Sequence, residues 1–130
     1  MTTPLELVQS LYAAFGRGDI GFILAHVAED CVWQTPGEGI PSAGRFIGPQ
    51  GAAQFFERQG GSEDVTAFDV KEYFVNGNTV VALGFERVTV KATGKTAETD
   101  WAMMFRIAEG KVAWFQPFYD TAAYVRAHKA

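Results

Sequence analysis

Between Val65 and Tyr119 the chain reads as β-strands divided by short turns, and this pattern constrains the fold more than any other feature. The three turn signals are Asn76-Gly77, Ala92-Thr93-Gly94 and Ala108-Glu109-Gly110. Each is of a type that joins neighbouring antiparallel strands, so four strands in succession predict an antiparallel meander. A sheet of this kind buries one face, and the rest of the chain must supply the layer that covers it.

The N-terminal part of the chain predicts that covering layer as three helices. Thr3, Pro4 and Glu6 fit the cap, first and third positions of a capping box, before an apolar run at helical spacing that stops at Gly16. Asp19 is suited to cap a second, short helix. Pro49 is suited to open a third helix, which Gly60 and Gly61 terminate.

Two other segments separate these helices. Cys31 to Thr35 has the composition of a short strand and is ended by Pro36-Gly37. From Pro36 to Gly48 the chain is rich in glycine and proline, which predicts a loop. Loops of this length are often functional, so this one could cover a pocket, but the sequence leaves its role open.

Turn length predicts which strand residues share a face. A two-residue Asn-Gly turn pairs Val75 with Asn78, and three-residue turns pair Lys91 with Lys95 and Ile107 with Lys111. Counting outward predicts an inner face of Phe68, Val70, Leu83, Phe85, Trp101, Met103, Phe105, Phe115, Pro117 and Tyr119. The predicted outer face carries Asp69, Lys71, Tyr73, Glu86, Asp100, Arg106, Trp114, Gln116 and Phe118.

Two consequences of this register matter for function. Aromatic side chains among polar ones on the outer face, namely Tyr73, Trp114 and Phe118, predict a homodimer contact. An alternative stays open, in which Thr-Gly and Glu-Gly form two-residue turns. The faces would then be exchanged, and Arg87 would lie opposite Asp100 as a surface ion pair.

Composition limits the function classes. The chain has 130 residues, 48% of them hydrophobic, which predicts one domain spanning 1–130. A formal net charge of -4 and only 20% charged residues argue against nucleic acid or a membrane surface as partners. Aromatic residues make up 14% of the chain, a high share that favours a deep ligand pocket or a subunit interface.

Cysteine and histidine usage narrows the chemistry further. Cys31 is the single cysteine, and His26 and His128 are the only histidines, so neither an internal disulfide nor a cysteine- or histidine-rich metal site is expected. His26 and His128 are interpreted as packing and tail residues, and Cys31 as an inert strand residue. No signal-peptide pattern follows Met1, which predicts a cytoplasmic protein.

The whole pattern resembles the SnoaL-like polyketide cyclase group. The resemblance rests on the order of helices and strands and on six short motifs that span nearly the whole chain: Phe15-Gly16-Arg17-Gly18-Asp19, Val32-Trp33, Pro36-Gly37, Thr93-Gly94-Lys95, Gly110-Lys111-Val112 and Tyr119-Asp120-Thr121. That group is part of the nuclear transport factor 2-like (NTF2-like) superfamily, with ketosteroid isomerases and limonene epoxide hydrolases. The resemblance implies an α+β fold: a cone-shaped, curved antiparallel meander covered by three N-terminal helices, with a pocket between them. It also implies a dimer through the outer sheet face.

The resemblance supplies few catalytic groups. The base of ketosteroid isomerases would fall near Thr35 and their protonated aspartate near Met103, so neither carboxyl group is present. Of the epoxide hydrolase pattern only Arg87 remains, with Thr89, Pro117, Trp33 and Thr35 at the other positions. The histidine that cyclases of this group often have near Met103 is also missing. Asp120 is left as the candidate acid. Steroid isomerisation and epoxide hydrolysis by the mechanisms of those two enzyme groups are disfavoured.

Two residues are the catalytic candidates. On the predicted inner face Arg87 is the only basic side chain, and a buried guanidinium requires a ligand or a carboxylate partner. The alternative is an ion pair with Glu98 or Asp100. Asp120 precedes a helical segment, so it is either a general acid or the cap of the last helix.

We therefore expect a SnoaL-like enzyme that transfers a proton on a largely apolar or aromatic ligand, as an isomerase, cyclase or hydrolase does, without a cofactor or metal. Arg87 would polarise an oxygen and Asp120 would move the proton. The alternative is a non-catalytic ligand-binding or dimeric accessory protein of the same fold. The candidate pocket lining, each member of which could instead be simple core, is Tyr12, Phe15, Trp33, Thr35, Phe55, Phe85, Trp101, Met103, Phe115 and Tyr119.

Overall fold

The computed structural model describes residues 2–130, which form helices and one sheet. The helices are α1 (Pro4–Gly16), α2 (Ile20–Ala25), α3 (Gly48–Ser62) and α4 (Thr121–His128). The strands are β1 (Val27–Thr35), β2 (Gly44–Ile47), β3 (Glu63–Asn76), β4 (Thr79–Val90), β5 (Thr96–Ala108) and β6 (Lys111–Phe118). The fold is α+β, with a curved, unclosed sheet, as the sequence predicts.

Local capping signals fix where the helices begin. Thr3 and Glu6 form the predicted capping box, with the Thr3 Oγ1 accepting from the Glu6 amide at 3.1 Å and the Glu6 carboxylate accepting from the Thr3 amide at 2.9 Å. Asp19 caps α2 by accepting from the Phe22 amide at 3.1 Å. Pro49 lies in the first turn of α3, which runs to Ser62. The predicted helix starts are therefore confirmed, whereas Gly60 and Gly61 lie inside the last turn of α3 and do not end it.

The sheet has the order β2-β1-β6-β5-β4-β3. Strands β3 to β6 form the predicted antiparallel meander, and β1 joins it through a parallel pairing with β6. Two details differ from the prediction: β1 begins at Val27 rather than Cys31, and the predicted loop from Pro36 to Gly48 contains β2, which pairs with β1. The helices therefore cover a sheet of six strands rather than the four of the predicted meander.

The turns do not have the predicted lengths. The first turn has Gly77 at its first central position with a φ of 60°, and it pairs Asn76 with Thr79 rather than Val75 with Asn78. Glycine at that position is the requirement of a type II′ turn. The second turn is a four-residue loop, 91–94, closed by a 2.8 Å hydrogen bond from the Val90 amide to the Lys95 carbonyl.

The third turn and the bulges complete the register. Glu109 and Gly110 form a two-residue turn that pairs Ala108 with Lys111, as in the open alternative. A bulge in β3 after Val70 and another irregularity between β5 and β6 shift the pairing again. As a result β5 and β6 keep their predicted faces, whereas β4 is inverted.

The inversion of β4 corrects several predictions. Gly84, not Phe85, lies opposite Trp101, and Phe85 lies opposite Asp100. Leu83, Phe85 and Arg87 are therefore on the outer face, and Glu86 is on the inner face. Tyr73 was also misplaced, because it packs toward the covered side against Tyr12, with ring centroids 6.3 Å apart.

The buried residues form two clusters on the concave side of the sheet. The larger lies beneath α1 and α3 and includes Trp33 and Phe115, whose ring centroids are 4.1 Å apart. The smaller lies beneath α4 and includes Val88, Val90 and Tyr124. Within residues 2–130 no helix is both long and apolar enough to span a membrane.

Candidate functional site

A cavity in two adjoining parts lies between the helices and the concave face of the sheet. The two parts enclose about 70 and about 50 Å³. The first part is lined by Leu11, Tyr12, Phe15, Ile23, Trp33, Phe55, Phe56, Gln59, Phe68, Glu86, Met103, Phe105 and Phe115. The second is lined by Thr35, Ser42, Phe55, Gln59, Glu63, Glu86, Trp101, Met103, Phe115, Pro117, Tyr119 and Tyr124.

Aromatic rings form most of the lining where the two parts of the cavity meet. Trp101, which lines the second part, stacks on Tyr12 and on Phe68 of the first part, with centroid distances of 5.8 and 5.2 Å. The six-membered ring of Trp101 lies directly over Gly84, where any side chain would collide with it. The lining is largely apolar, which suits an apolar ligand.

Two buried donors in this wall have no partner. Among residues 2–130, neither the Nε1 of Trp33 nor that of Trp101 has a hydrogen-bond acceptor, although both side chains are buried. A buried polar group without a partner costs about 1–3 kcal/mol. An acceptor oxygen on a bound molecule would offset that cost if it reached either indole.

Glu86 is the most unusual group in the cavity. Its residue is only 8% exposed, and in the described part of the chain it is the one carboxyl group that lines both parts. The hydroxyl of Tyr124 donates to the Glu86 Oε2 at 2.5 Å. Burial raises the pKa of Glu86, the nearby Glu63 raises it further, and the hydrogen bond from Tyr124 lowers it. A carboxyl group with a raised pKa is a stronger base when ionised and so is suited to proton transfer.

Glu63 and His128 lie beside Glu86. Glu63 lines the second part of the cavity and is buried, and its Oε2 lies 2.7 Å from the Nε2 of His128. Tyr119 faces the same space, and burial followed by the charges of Glu63 and Glu86 raises the pKa of its phenol. The narrow end of the cavity is therefore polar, whereas the wide end is aromatic.

Tyr12 supplies a hydroxyl to the aromatic end. It donates to the Sδ of Met103 at 3.2 Å, and thioether sulfur is a weak acceptor. Burial raises the pKa of Tyr12 well above its ordinary value, so the phenol keeps its proton. A ligand oxygen would be a stronger acceptor than the sulfur, and the hydroxyl could turn to it.

The structure brings nine of the ten predicted lining residues to the cavity. Tyr12, Phe15, Trp33, Phe55, Met103 and Phe115 line the first part, and Phe55, Met103 and Phe115 extend into the second with Thr35, Trp101 and Tyr119. The hydroxyl of Thr35 is already used, because it donates to the Ser42 carbonyl at 2.5 Å. The tenth residue, Phe85, lies on the outer face because β4 is inverted, and there Lys71 and Arg87 contact its ring.

Arg87 does not reach the cavity. Its guanidinium lies on the outer face and makes two contacts of 2.9 Å with the Glu98 carboxylate, with its side chain 49% exposed. The prediction that Arg87 lies on the inner face is wrong, for the same reason as for Phe85. The alternative of an ion pair with Glu98 is correct, and exposed pairs of this kind contribute about 0–1 kcal/mol.

Asp120 is also placed away from the cavity. Its carboxylate is exposed and accepts from the Ala123 amide at 3.1 Å, which caps α4. The interpretation of Asp120 as a helix cap therefore holds, and the geometry gives it no contact with a bound ligand.

Four titratable residues in or beside the cavity were not predicted as site residues: Glu63, Glu86, Tyr124 and His128. The register error placed Glu86 outside, and Glu63 precedes the first predicted strand. One signal was available, because Tyr124 and His128 are four residues apart and so share one face of α4. That face could have been expected to meet carboxyl groups. No cluster of three or more metal-ligating side chains occurs in residues 2–130.

Comparison with known proteins supports this description of the fold. A family model described as a SnoaL-like domain matches residues 8–115. An NTF2-like protein from Burkholderia thailandensis E264 is 30% identical over 100% of both chains, with a TM-score of 0.92. Another, from Burkholderia xenovorans LB400, is 32% identical over 97% of this chain and 95% of its own, with a TM-score of 0.88.

A more distant structure shares the fold alone. A candidate polyketide cyclase from Pseudomonas putida KT2440 is 24% identical over 98% of each chain, with a TM-score of 0.77. No curated protein matches the chain.

Proposed function

Because the chain belongs to the SnoaL-like family, we propose that it is an enzyme that moves a proton on a flat, largely apolar ligand bound in the cavity. Glu86 is the proton-transferring group, and Tyr124 holds its carboxyl group in place. This role replaces the one first expected for Arg87 and Asp120. The reaction class is that of isomerases and cyclases, in which a carbon next to a carbonyl gains or loses a proton.

The observation that carries the proposal is the position of Glu86. A carboxyl group is rarely buried unless it has a partner or a function. Glu86 has one partner, Tyr124, which occupies Oε2. No hydrogen bond of Oε1 to the protein is present among residues 2–130, so this oxygen is the one a ligand can use. Burial keeps the pKa high, which makes the ionised form a stronger base.

Besides a base, such a reaction needs hydrogen-bond donors for the carbonyl oxygen, and other polar groups of the cavity lining can supply them. When the Glu86 carboxylate takes a proton from carbon, the electron pair moves onto the carbonyl oxygen of the ligand. That oxygen then needs hydrogen-bond donors. Tyr12 has a weakly engaged hydroxyl, and the indole N–H groups of Trp33 and Trp101 are unpartnered. The protonated Glu86 returns its proton to the same or to another carbon.

A ligand larger than the cavity requires side chains to move. The cavity volume is smaller than the roughly 300–1,000 Å³ of pockets for drug-sized ligands. Phe15, Phe56 and Phe68 are among the partly exposed members of the lining, contributed by α1, α3 and β3. None of the three lines the second part, so their rotation would widen the aromatic end and leave the polar end unchanged. The proposal therefore places the carbon that loses the proton near Glu86 and the carbonyl oxygen toward the donors of Tyr12, Trp33 and Trp101.

The test uses a compact ketone whose exchange can be followed without knowledge of the natural substrate. In deuterium oxide, proton NMR reports the loss of the α-protons of 2-indanone with and without the protein. We expect acceleration by the wild type and a loss of about 100-fold or more in Glu86→Gln, since general acid–base groups contribute roughly that much. Glu98→Gln, which removes an exposed carboxylate from the outer face, is the matched control and should keep full activity.

The same experiment addresses the alternative of a non-catalytic binding protein. Thermal stabilisation by 2-indanone in the wild type reports binding separately from exchange. Stabilisation without accelerated exchange would favour the binding protein, and equal exchange rates in wild type and Glu86→Gln would remove Glu86 from the mechanism.

We also propose that the protein is a homodimer through the outer sheet face. This face carries partly exposed apolar side chains from β4, β5 and β6, with Phe118 52% exposed. Exposed apolar patches of this kind favour an isologous contact. Light scattering at micromolar concentration should give twice the monomer mass. Phe118→Lys should give a monomer, whereas Val75→Lys, at a 49% exposed position near the β3–β4 turn, should stay dimeric.

A further inference from the structure

The contact between Glu63 and His128 is the most deeply placed ion-pair geometry in the described part of the chain. The Glu63 Oε2 and the His128 Nε2 are 2.7 Å apart, and their side chains are 3% and 9% exposed. The other three pairs among residues 2–130, such as that of Arg87 with Glu98, have side chains roughly half-exposed. Burying a charged pair costs desolvation free energy, so a buried pair of this kind is weak evidence for stability and suggests another role.

Helix α4 connects this contact to the cavity. Tyr124 and His128 are four residues apart on α4, and they meet Glu86 on β4 and Glu63 on β3. The far end of α4 is tied down as well. The Thr93 hydroxyl donates to the Ala127 carbonyl at 2.6 Å, and the Lys95 ammonium donates to the Lys129 carbonyl at 2.8 Å. The helix is therefore held against the sheet on both sides of His128.

We propose that Glu63 and His128 are positioning residues for Glu86: their contact holds α4, and with it Tyr124, against the Glu86 carboxyl group, and Glu63 places a carboxyl group of its own close by. This inference rests on the proposed function for its purpose, but not for its test. Glu63 lines the narrow end of the cavity, and His128 contacts Glu63 from outside the lining. They determine whether the carboxyl group in the cavity is ready to accept a proton.

The physical basis is the charge that each of the two residues can carry. The Glu63 carboxylate disfavours a second negative charge on Glu86 and so raises the pKa of Glu86. An imidazolium at His128 would have the opposite effect, because its charge is positive. The remaining titratable groups facing Glu86 are Tyr12, Tyr119 and Tyr124, all neutral phenols whose pKa values are raised. Asp64, Lys91 and Lys95 lie near Glu63 and α4, but they are exposed and screened by solvent.

The experiment follows the Glu86 carboxyl carbon by NMR in protein labelled with ¹³C-glutamate, and the signal is assigned by its loss in Glu86→Gln. Glu63→Gln removes a negative charge but keeps an oxygen that can accept from His128. We expect the apparent pKa of Glu86 to fall by about one unit in that variant. His128→Gln removes the imidazole, which carries a positive charge only when protonated, but keeps a donor, and we expect a rise by about the same amount.

Each variant has a matched control in the same chain. Glu98→Gln removes a carboxylate from the outer face, and His26→Gln removes the other histidine, which lies at the end of α2. Both controls should leave the Glu86 titration within about 0.2 unit of the wild type, because exposed or distant charges are screened. Melting temperatures measured in parallel separate a general loss of stability from a change in charge.

The two variants give opposite expectations, so either one tests the proposal if the other does not fold. Shifts of opposite sign in Glu63→Gln and His128→Gln support it. A Glu86 titration unchanged in a folded variant, even with a lowered melting temperature, overturns it and leaves a purely structural contact. None of these results depends on exchange of 2-indanone, so failure of the proposed reaction is seen separately.

Discussion

Replacement of Gly84 by alanine tests the geometry of the cavity wall directly. Gly84 lies where β4 passes between the Asp69 carbonyl of β3 and the ring of Trp101 from β5. A Cβ atom at this position would overlap both the Asp69 oxygen and the Cζ2 atom of the indole, and it would come within 2.6 Å of the indole Cη2. The backbone oxygen is fixed by the sheet, so the new methyl group cannot simply displace it.

The expected cost follows from these contacts. Overpacking a tight site costs about 1–3 kcal/mol. If the indole is displaced, the stacks of Trp101 on Tyr12 and on Phe68 are also weakened, and such pairs contribute about 0.5–1.5 kcal/mol each. Replacing a strand glycine by alanine returns about 0.5–1 kcal/mol. We expect Gly84→Ala to lower the free energy of unfolding by about 3 kcal/mol and the melting temperature by about 10 °C.

Urea unfolding followed by circular dichroism measures this change without relying on tryptophan fluorescence. Gly61→Ala is the control, because Gly61 lies in the last turn of α3 with nothing within 4 Å of the added methyl group. That variant should be as stable as the wild type or up to about 1 kcal/mol more stable. Adding Trp101→Phe to Gly84→Ala removes the indole atoms in the way, so the two changes should be coupled by about 1 kcal/mol. A Gly84→Ala protein within about 0.5 kcal/mol of the wild type would refute the described packing.

Three further predictions concern buried titratable groups. Tyr124→Phe leaves Glu86 without its donor, and urea unfolding should show a loss of about 1–3 kcal/mol. Because the pKa of Glu86 is raised above its ordinary 4.5, the unfolded chain releases this proton first. The contribution of Glu86 to the free energy of unfolding should therefore fall as pH rises from about 4.5 through the folded-state pKa, and a pH series on Glu86→Gln should lack that fall. Burial raises the pKa of Cys31 to about 12, so iodoacetamide at pH 8 should label it only after unfolding; labelling of the native protein at the rate of a free thiol would contradict this.

The helices and the meander could be predicted because their signals lie within a few residues of each other. The capping box of Thr3 and Glu6 needs four residues, and Asp19 and Asp120 cap helices that begin directly after them. A glycine-containing turn likewise marks where a strand must end, whatever its exact length. These contacts form in the same way in many folds, so tertiary structure had little opportunity to override them.

The face of β4 could not be predicted by the same means. Its register depends on the loop 91–94, which has four residues instead of three, and on the bulge after Val70. Each of these changes exchanges the two faces of a strand, because side chains alternate with a period of two. Arg87 and Glu86 therefore exchanged places. The buried carboxyl group therefore belongs to the residue directly before Arg87 in the sequence.

The contact between Glu63 and His128 was out of reach for a different reason. The two residues are 65 positions apart, and α4 looks like an exposed tail until the sheet curves beneath it. Only the three-dimensional path of β3 and β4 shows which side chains it covers.

The parallel pairing of β1 with β6 determines when the cavity can exist during folding. Strands β3 to β6 are joined by short turns and can assemble from local contacts. Trp33 on β1, by contrast, pairs with Phe115 on β6, about 80 residues later. A nascent chain that has not yet released β6 therefore exposes the aromatic residues of β1 and α3 to solvent. We expect N-terminal fragments that end before Lys111 to bind hydrophobic dyes and to aggregate, and the cavity to close only when the last strand arrives.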